Sequence, residues 1–248
     1  MKTEWDEKNY SENFSFVHEY GEKILELITV PKGGYVVDLG CGNGALSAKL
    51  AEKYRVTGID SSYEMLQAAK KSYPDIDFVQ ADACEFTLDN QADAIFSNAV
   101  FHWIENQEKL IENIYANLKT GGQLVFEFGG KGCADTVHKA LAQAFDKYGY
   151  EYRLDFNFRS IGEFAPLLEE RGFKVEYARL YDRPTPQNGE NGLENWINMF
   201  VTTAFNGVAP KDKENIIKDA VDICRPLLYK NGTWYVDYVR LLMKAVKL

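Results

Sequence analysis

Long apolar runs are missing from this 248-residue chain. Nothing in it approaches the roughly 18 to 20 consecutive apolar residues that a membrane-spanning helix needs. The opening Met-Lys-Thr-Glu-Trp-Asp-Glu is too polar for a secretory leader. The expectation is a soluble, cytoplasmic protein without a membrane partner. Cysteine is sparse and scattered at 41, 84, 133 and 224, with no Cys-x-x-Cys pair and no histidine cluster nearby. That pattern argues against a disulfide scaffold and against a thiolate metal centre, so no metal is expected. Basic runs are absent as well. Residues 1–130 hold 11 Lys and Arg against 21 Asp and Glu, whereas residues 131–248 hold 17 against 16. An acidic first half with no basic tract argues against nucleic acid or an anionic membrane as partner. Arginine is the exception to this evenness in the second half: Arg55 alone precedes residue 131 and seven follow, which permits an anionic small substrate there.

What is present is a core and a turn. A hydrophobic content of 46% supports a sizeable interior, and the length suits one α/β domain with an elaboration. Residues 36–47 read Val-Val-Asp-Leu-Gly-Cys-Gly-Asn-Gly-Ala-Leu-Ser. An apolar run ending near Asp38, followed by glycines at 40, 42 and 44, predicts a buried strand turning tightly into a helix. A dinucleotide site wants Gly-x-Gly-x-x-Gly with pyrophosphate on the helix N-terminus. Here the spacing is Gly-x-Gly-x-Gly, and an acid precedes it where a pyrophosphate would meet like charge. A cationic or hydroxyl-rich ligand fits such an acid better, although a nucleotide site and a purely structural turn both remain open at this point.

The chain continues in alternating strands and helices. Tyr10, Phe14, Val17, Gly21, Ile24 and Ile28 mark one face of a helix over residues 5–28. A second strand over 55–59 ends in Asp60, placed to hold a ribose diol. Ser61-x-x-Glu64 predicts a capping box for a helix carrying Met65. A third strand over 76–80 leads to Asp82 and Ala83, and a fourth over 92–98 opens into Ser-Asn-Ala-Val-Phe-His-Trp at 97–103. Asn106 predicts a helix cap, Gly121-Gly122 a helix end, and 123–128 a fifth strand. After Gly129-Gly130 the rhythm changes: a helix over 135–148, an aromatic and basic loop over 150–159, a capping box at Ser160 and Glu163, a strand over 173–182, two helices over 193–205 and 211–228 joined through Pro210, and a last strand over 234–246.

The acid–glycine turn, the second strand-end acid at Asp60, Asp82 and the Ser97–Asn98 loop together resemble the motifs of class I S-adenosylmethionine (SAM) dependent methyltransferases. The 97–103 segment is similar to the trans-aconitate methyltransferase branch. The resemblance implies a Rossmann-like fold with a seven-stranded, mostly parallel sheet, helices on both faces and a helical lid insertion. It divides the chain into a cofactor-covering helix (1–30), a SAM-binding core (31–130) and a completion of the sheet with a substrate lid at about 187–230 (131–248). It implies cofactor contacts from Asp38, Gly40, Cys41, Gly42, Asn43, Asp60, Ser61, Met65, Asp82, Ala83 and Asn98.

Methyl transfer from SAM to a small-molecule acceptor is the activity so implied, by O-methylation and in particular of a carboxylate. His102 is the candidate catalytic base or substrate donor, with Trp103, Arg153 and Arg159 as substrate-binding candidates. Arg183 and Trp196 are further candidates by position. A SAM-binding regulatory protein without catalysis, a protein methyltransferase and a nicotinamide-dependent oxidoreductase are the alternatives. The assembly state carries no signal in the sequence.

Overall fold

The computed structural model describes residues 24–248. Most of the helix expected over residues 5–28 therefore lies outside the described residues. Its end is a 3-10 turn at Leu25–Leu27, flanked by buried Ile24 and Ile28.

The elements in chain order are β1 (Tyr35–Leu39), α1 (Ala45–Ala51), β2 (Arg55–Asp60), α2 (Tyr63–Ser72), β3 (Asp77–Gln80), β4 (Ala92–Asn98), a 3-10 turn (Phe101–Trp103), α3 (Gln107–Asn117), β5 (Leu118–Gly129), α4 (Asp135–Lys147), α5 (Ile161–Glu170), β6 (Phe173–Gln187), α6 (Gly192–Phe200), a 3-10 turn (Thr203–Phe205), α7 (Pro210–Leu228), β7 (Tyr229–Lys230) and β8 (Thr233–Lys247). The sheet runs β3-β2-β1-β4-β5-β8-β6, with β7 paired to β8. The pairings among β1 to β5 are parallel, and the β7–β8 pairing is antiparallel. The sheet is thus mixed and has eight strands where seven were expected. The extra strand is a two-residue hairpin arm around Asn231-Gly232, both with positive φ. Asn-Gly is the turn pair that a tight hairpin requires, so this strand was legible in the sequence.

Alternation along the central strands sends neighbouring side chains to opposite faces. Val37, Leu39, Ile95, Leu124, Phe126 and Phe128 join one core with Leu110, Ile111 and Ile114 of α3 and Phe164 and Leu168 of α5. Val36, Ala94, Phe96 and Val125 join the other with Leu46 and Leu50 of α1 and with Ile24 and Ile28. Helices therefore cover both faces, as a sheet with apolar residues at consecutive positions demands.

Three local expectations change. The α2 cap is Ser62 rather than Ser61: its hydroxyl accepts from the Met65 amide at 3.3 Å. Strand β5 starts at Leu118, and its register with β4 jumps from Ala92 opposite Leu118 to Ala94 opposite Gln123, so Gly121-Gly122 lie in an irregularity within the strand. Strand β6 runs past Pro184 and Pro186 to Gln187. It is the last strand of the sheet order, where a residue without an N–H is tolerated. Asn106 caps α3 through the Lys109 amide at 2.8 Å, and the box at Ser160 and Glu163 is formed.

The chain separates into two compact units. Unit 1 comprises residues 24–129 with Arg159–Leu180 and Leu241–Leu248; unit 2 comprises Gly130–Phe158 and Tyr181–Arg240. In unit 2, α4 packs its buried Val137, Ala140, Leu141 and Ala144 face along α7, which buries Ile216, Ile217, Ala220 and Cys224. No described helix is long and apolar enough to cross a membrane.

Candidate active site

The order β2-β1-β4 makes the carboxyl edge between β1 and β4 the place where the winding of the sheet reverses, and open α/β sheets bind ligands there. Two contacts tie the loops at this edge together. Ser97 Oγ donates to the Leu39 carbonyl at 2.7 Å. At Gly40, with φ of +77°, a Cβ would lie 2.1 Å from Val100 Cγ2, so only glycine allows the first loop to close on the second. The Gly40 and Cys41 amides both donate to the Ile59 carbonyl, at 2.7 and 3.0 Å.

The two strand-end acids have different surroundings. Asp38 is 2% exposed, and its Oδ2 accepts from Ser47 Oγ at 2.6 Å. Burial lifts its carboxyl to about 7, with the Ser47 hydroxyl pulling the other way. Asp60 is half-buried at the end of β2, and each of its oxygens takes one backbone amide: Gly42 at 2.9 Å and Ser62 at 2.8 Å. Burial raises its pKa, and the amides of Ser62, Gly42 and Ser61 hold the rise in check. A carboxylate has about four lone-pair directions, so each Asp60 oxygen keeps acceptor capacity for a further donor.

The remaining candidates sort by place. Met65 is buried with its methyl beside Gly42, 3.4 Å from where a Cβ on Gly42 would stand. Cys41 is buried, and burial pushes its thiol far up, which makes it a packing group rather than a nucleophile. Asn43 accepts from the Ala45 amide at the start of α1, at 3.4 Å. Ser61 is exposed, and its carbonyl accepts from Gln80. Asp82 is exposed and takes the Cys84 amide at 2.8 Å, with Ala83 half-buried beside it. Asn98 ends β4, half-buried.

His102 is 8% exposed, stacked on Phe128 and flanked by half-buried Trp103. Its Nδ1 accepts from the Gly129 amide at 3.3 Å. The two arginines fall in different units. Arg159 of unit 1 pairs with Glu108 at 3.3 Å, and Arg153 of unit 2 is an exposed partner of Glu151 at 2.9 Å. Asp38, Gly40, Cys41, Gly42, Asn43, Asp60, Met65, Asn98 and His102 all belong to unit 1, whereas Arg153 belongs to unit 2.

Ser47 and Glu127 are polar residues of this region that sequence reasoning missed. Ser47 is fully buried on the α1 face that also carries Leu46 and Leu50, and a polar residue on an apolar stripe was the available signal. Glu127, 1% exposed, lies opposite Asn98 in the otherwise apolar Leu124–Phe128 part of β5, and its carbonyl accepts from the Ala99 amide at 2.7 Å.

A doubly wound sheet whose switch point carries a glycine turn between two strand-end acids defines a Rossmann-like nucleotide-cofactor enzyme. Its residues suit a ligand with hydroxyls and a cation: Asp60 keeps free acceptor directions, and a buried Asp38 gains from a positive partner. Comparison with known proteins narrows the class. The methyltransferase domain family matches residues 37–126. An uncharacterised methyltransferase of Schizosaccharomyces pombe is 31% identical over 98% of both chains. A trans-aconitate 2-methyltransferase of Azoarcus is 32% identical over 50% of each chain. The crystal structure of a Bacillus halodurans protein described as a methyltransferase superposes with a TM-score of 0.65 at 18% identity, covering 91% of this chain and 97% of that one. The chain belongs to the class I SAM-dependent methyltransferases, and SAM is its cofactor.

Proposed function

We propose that this enzyme methylates an oxygen of a small anionic acceptor, specifically a carboxylate. The observation that carries this reading is the hydrogen bond from the Gly129 amide to His102 Nδ1 at 3.3 Å. A neutral imidazole with Nδ1 accepting holds its proton on Nε2. His102 therefore offers a donor rather than a base, and an acceptor beside it must arrive already nucleophilic. Carboxylates do so at neutral pH, whereas phenols, alcohols and amines usually require a base, worth about 10²- to 10⁴-fold. The partial likeness to trans-aconitate 2-methyltransferases supports the same acceptor class.

Bound SAM supplies an electrophilic methyl group on a sulfonium. The chain's own residues bind and orient. Asp60 holds the ribose hydroxyls and Asp38 the ammonium end. Gly40, Cys41, Gly42, Asn43, Ser61, Met65, Asp82, Ala83 and Asn98 complete the cofactor contacts. His102 donates to the acceptor and Trp103 walls it, with Arg159 of the same unit as a cation that attracts it. Residues 31–130 serve the cofactor and the helices within 187–230 serve the acceptor, in a cytoplasmic enzyme that uses neither nucleic acid nor membrane as partner. Alignment of the reacting atoms is the main source of rate, on the order of 7–11 kcal/mol in favourable cases.

The test is incubation of the full chain with methyl-labelled SAM and fractionated metabolites, followed by mild alkali. Label that appears in small molecules and is released by base as methanol is expected for a methyl ester. Label that is stable to base, or found only in protein, overturns the carboxylate reading.

A further inference from the structure

Local considerations favour alanine at position 47. The position lies inside α1, a seven-residue helix, on the buried face with Leu46 and Leu50. Serine is a poorer helix former than alanine, and a buried hydroxyl is costly unless it is paired. A serine within a helix commonly turns its hydroxyl to a carbonyl three or four residues back. Ser47 instead reaches nine positions back and donates to Asp38 Oδ2 at 2.6 Å, the distance of a hydroxyl on a carboxylate. The hydroxyl that costs the helix something is therefore spent on the acid.

The surroundings of Asp38 make that one hydroxyl matter. Its register partners are Gly58 on β2 and Phe96 on β4, neither of which carries a polar side chain. The titratable groups that face it are Asp60, of like charge at the end of β2, and the Cys41 thiol in the turn, which burial keeps protonated. Neither is a cation. Burial lifts the Asp38 carboxyl to about 7, and the Ser47 hydroxyl opposes that rise. Asp60 is held differently, by the backbone amides of Gly42 and Ser62, which no change of side chain at those positions removes. At Asp38 the same service rests on a side chain. With Oδ2 taken by Ser47, the carboxylate keeps acceptor directions on Oδ1 for a ligand cation.

We propose that Ser47 is a positioning residue for SAM: its hydroxyl, donating to Oδ2, holds Asp38 as an oriented carboxylate whose other oxygen meets the cofactor's ammonium. The proposal rests on the reading in which Asp38 holds that ammonium, and the experiment separates the two. The full chain with ¹³C-labelled aspartate is titrated without cofactor, the Asp38 signal being identified by its loss in Asp38→Asn. SAM affinity is then measured by calorimetry across the same pH range. Wild-type affinity should tighten as pH rises through the Asp38 midpoint, because the ionised acid is the form that binds a cation. Ser47→Ala should raise that midpoint by at least about one unit, which weakens SAM binding about tenfold near pH 6 and far less near pH 8.5. Titration of SAM itself is common to all variants and cancels in the comparison. Ser47→Thr, which keeps the hydroxyl, should restore both the midpoint and the affinity. An unchanged midpoint in folded Ser47→Ala overturns the proposal, as does a loss of affinity that is equal at every pH, the mark of a merely structural role. If Asp38→Asn binds SAM as wild type does, the ammonium reading falls and the proposal with it. If Asp38→Asn loses SAM while Ser47→Ala leaves the pH profile in place, the Ser47 proposal alone falls. Should Ser47→Ala fail to fold, Ser47→Cys, a weaker donor of similar shape, carries the same comparison.

Discussion

The carboxyl edge of unit 1 and the aromatic cluster of unit 2 solve the same problem, a polar group in a dry place, in opposite ways. At the edge, the acids are answered within unit 1: Asp38 by Ser47, and Asp60 by the amides of Gly42 and Ser62. In the cluster, beside the rings of Phe156, Phe158 and Trp196, His138 is answered on one side by Tyr152, while Nε2 remains unanswered. The first arrangement is complete within the protein, and the second leaves one buried ring nitrogen without a partner.

The sharpest way to break this comparison is to titrate Asp38. Its folded pKa of about 7 lies above the ordinary 3.8, so the folded state binds the extra proton between those values. For an acid shifted upward, stability is fully present below the unfolded pKa and is lost as pH rises toward the folded one. The cofactor-free protein should lose up to about 4 kcal/mol between pH 4 and 7 from this group, treating the shift at 1.36 kcal/mol per unit. Asp38→Asn should flatten that slope in denaturant unfolding, and an unchanged slope would remove Asp38 as its source.

Next in size is Gly40→Ala. The new methyl meets Val100 at 2.1 Å in a left-handed backbone conformation. Overpacking and the φ penalty together should cost about 2–5 kcal/mol, read as a fall in the thermal midpoint. Val100→Ala in the same background should restore part of it if the clash is the cause.

Asp60→Ala should weaken SAM binding by about 1–3 kcal/mol, the worth of hydrogen bonds to a charged group, measured by calorimetry. Unchanged affinity in the folded variant would refute its ribose role.

The smallest effect belongs to unit 2. Trp234→Phe removes the indole donor to the Glu190 carbonyl at 2.7 Å and should cost about 1 kcal/mol of stability. SAM affinity should not change, and a loss there would blur the division of labour between the regions.

Legibility in the sequence follows the same division. The glycine spacing at 40, 42 and 44 and the acids at 38 and 60 were readable because backbone angles and strand ends are local properties. The Ser61 cap was misplaced by one residue because Asp60 takes the Ser62 amide and keeps Ser62 extended, a contact that no capping pattern encodes. The start of β5 was misread because two glycines resemble a helix stop, whereas here they absorb a register jump against β4. Trp196 stood out as an aromatic, but its link to Tyr238 joins residues 42 positions apart.

By itself the sequence determined the order of elements and the chemistry of the cofactor turn, since periodicity, glycine and strand-end acids act through the nearby backbone. Tertiary structure alone decided which nitrogen of His102 accepts, how far burial lifts Asp38, and that His138 Nε2 is buried without a partner. Those properties depend on which distant atoms displace water from each group, and that is settled only when the chain has packed.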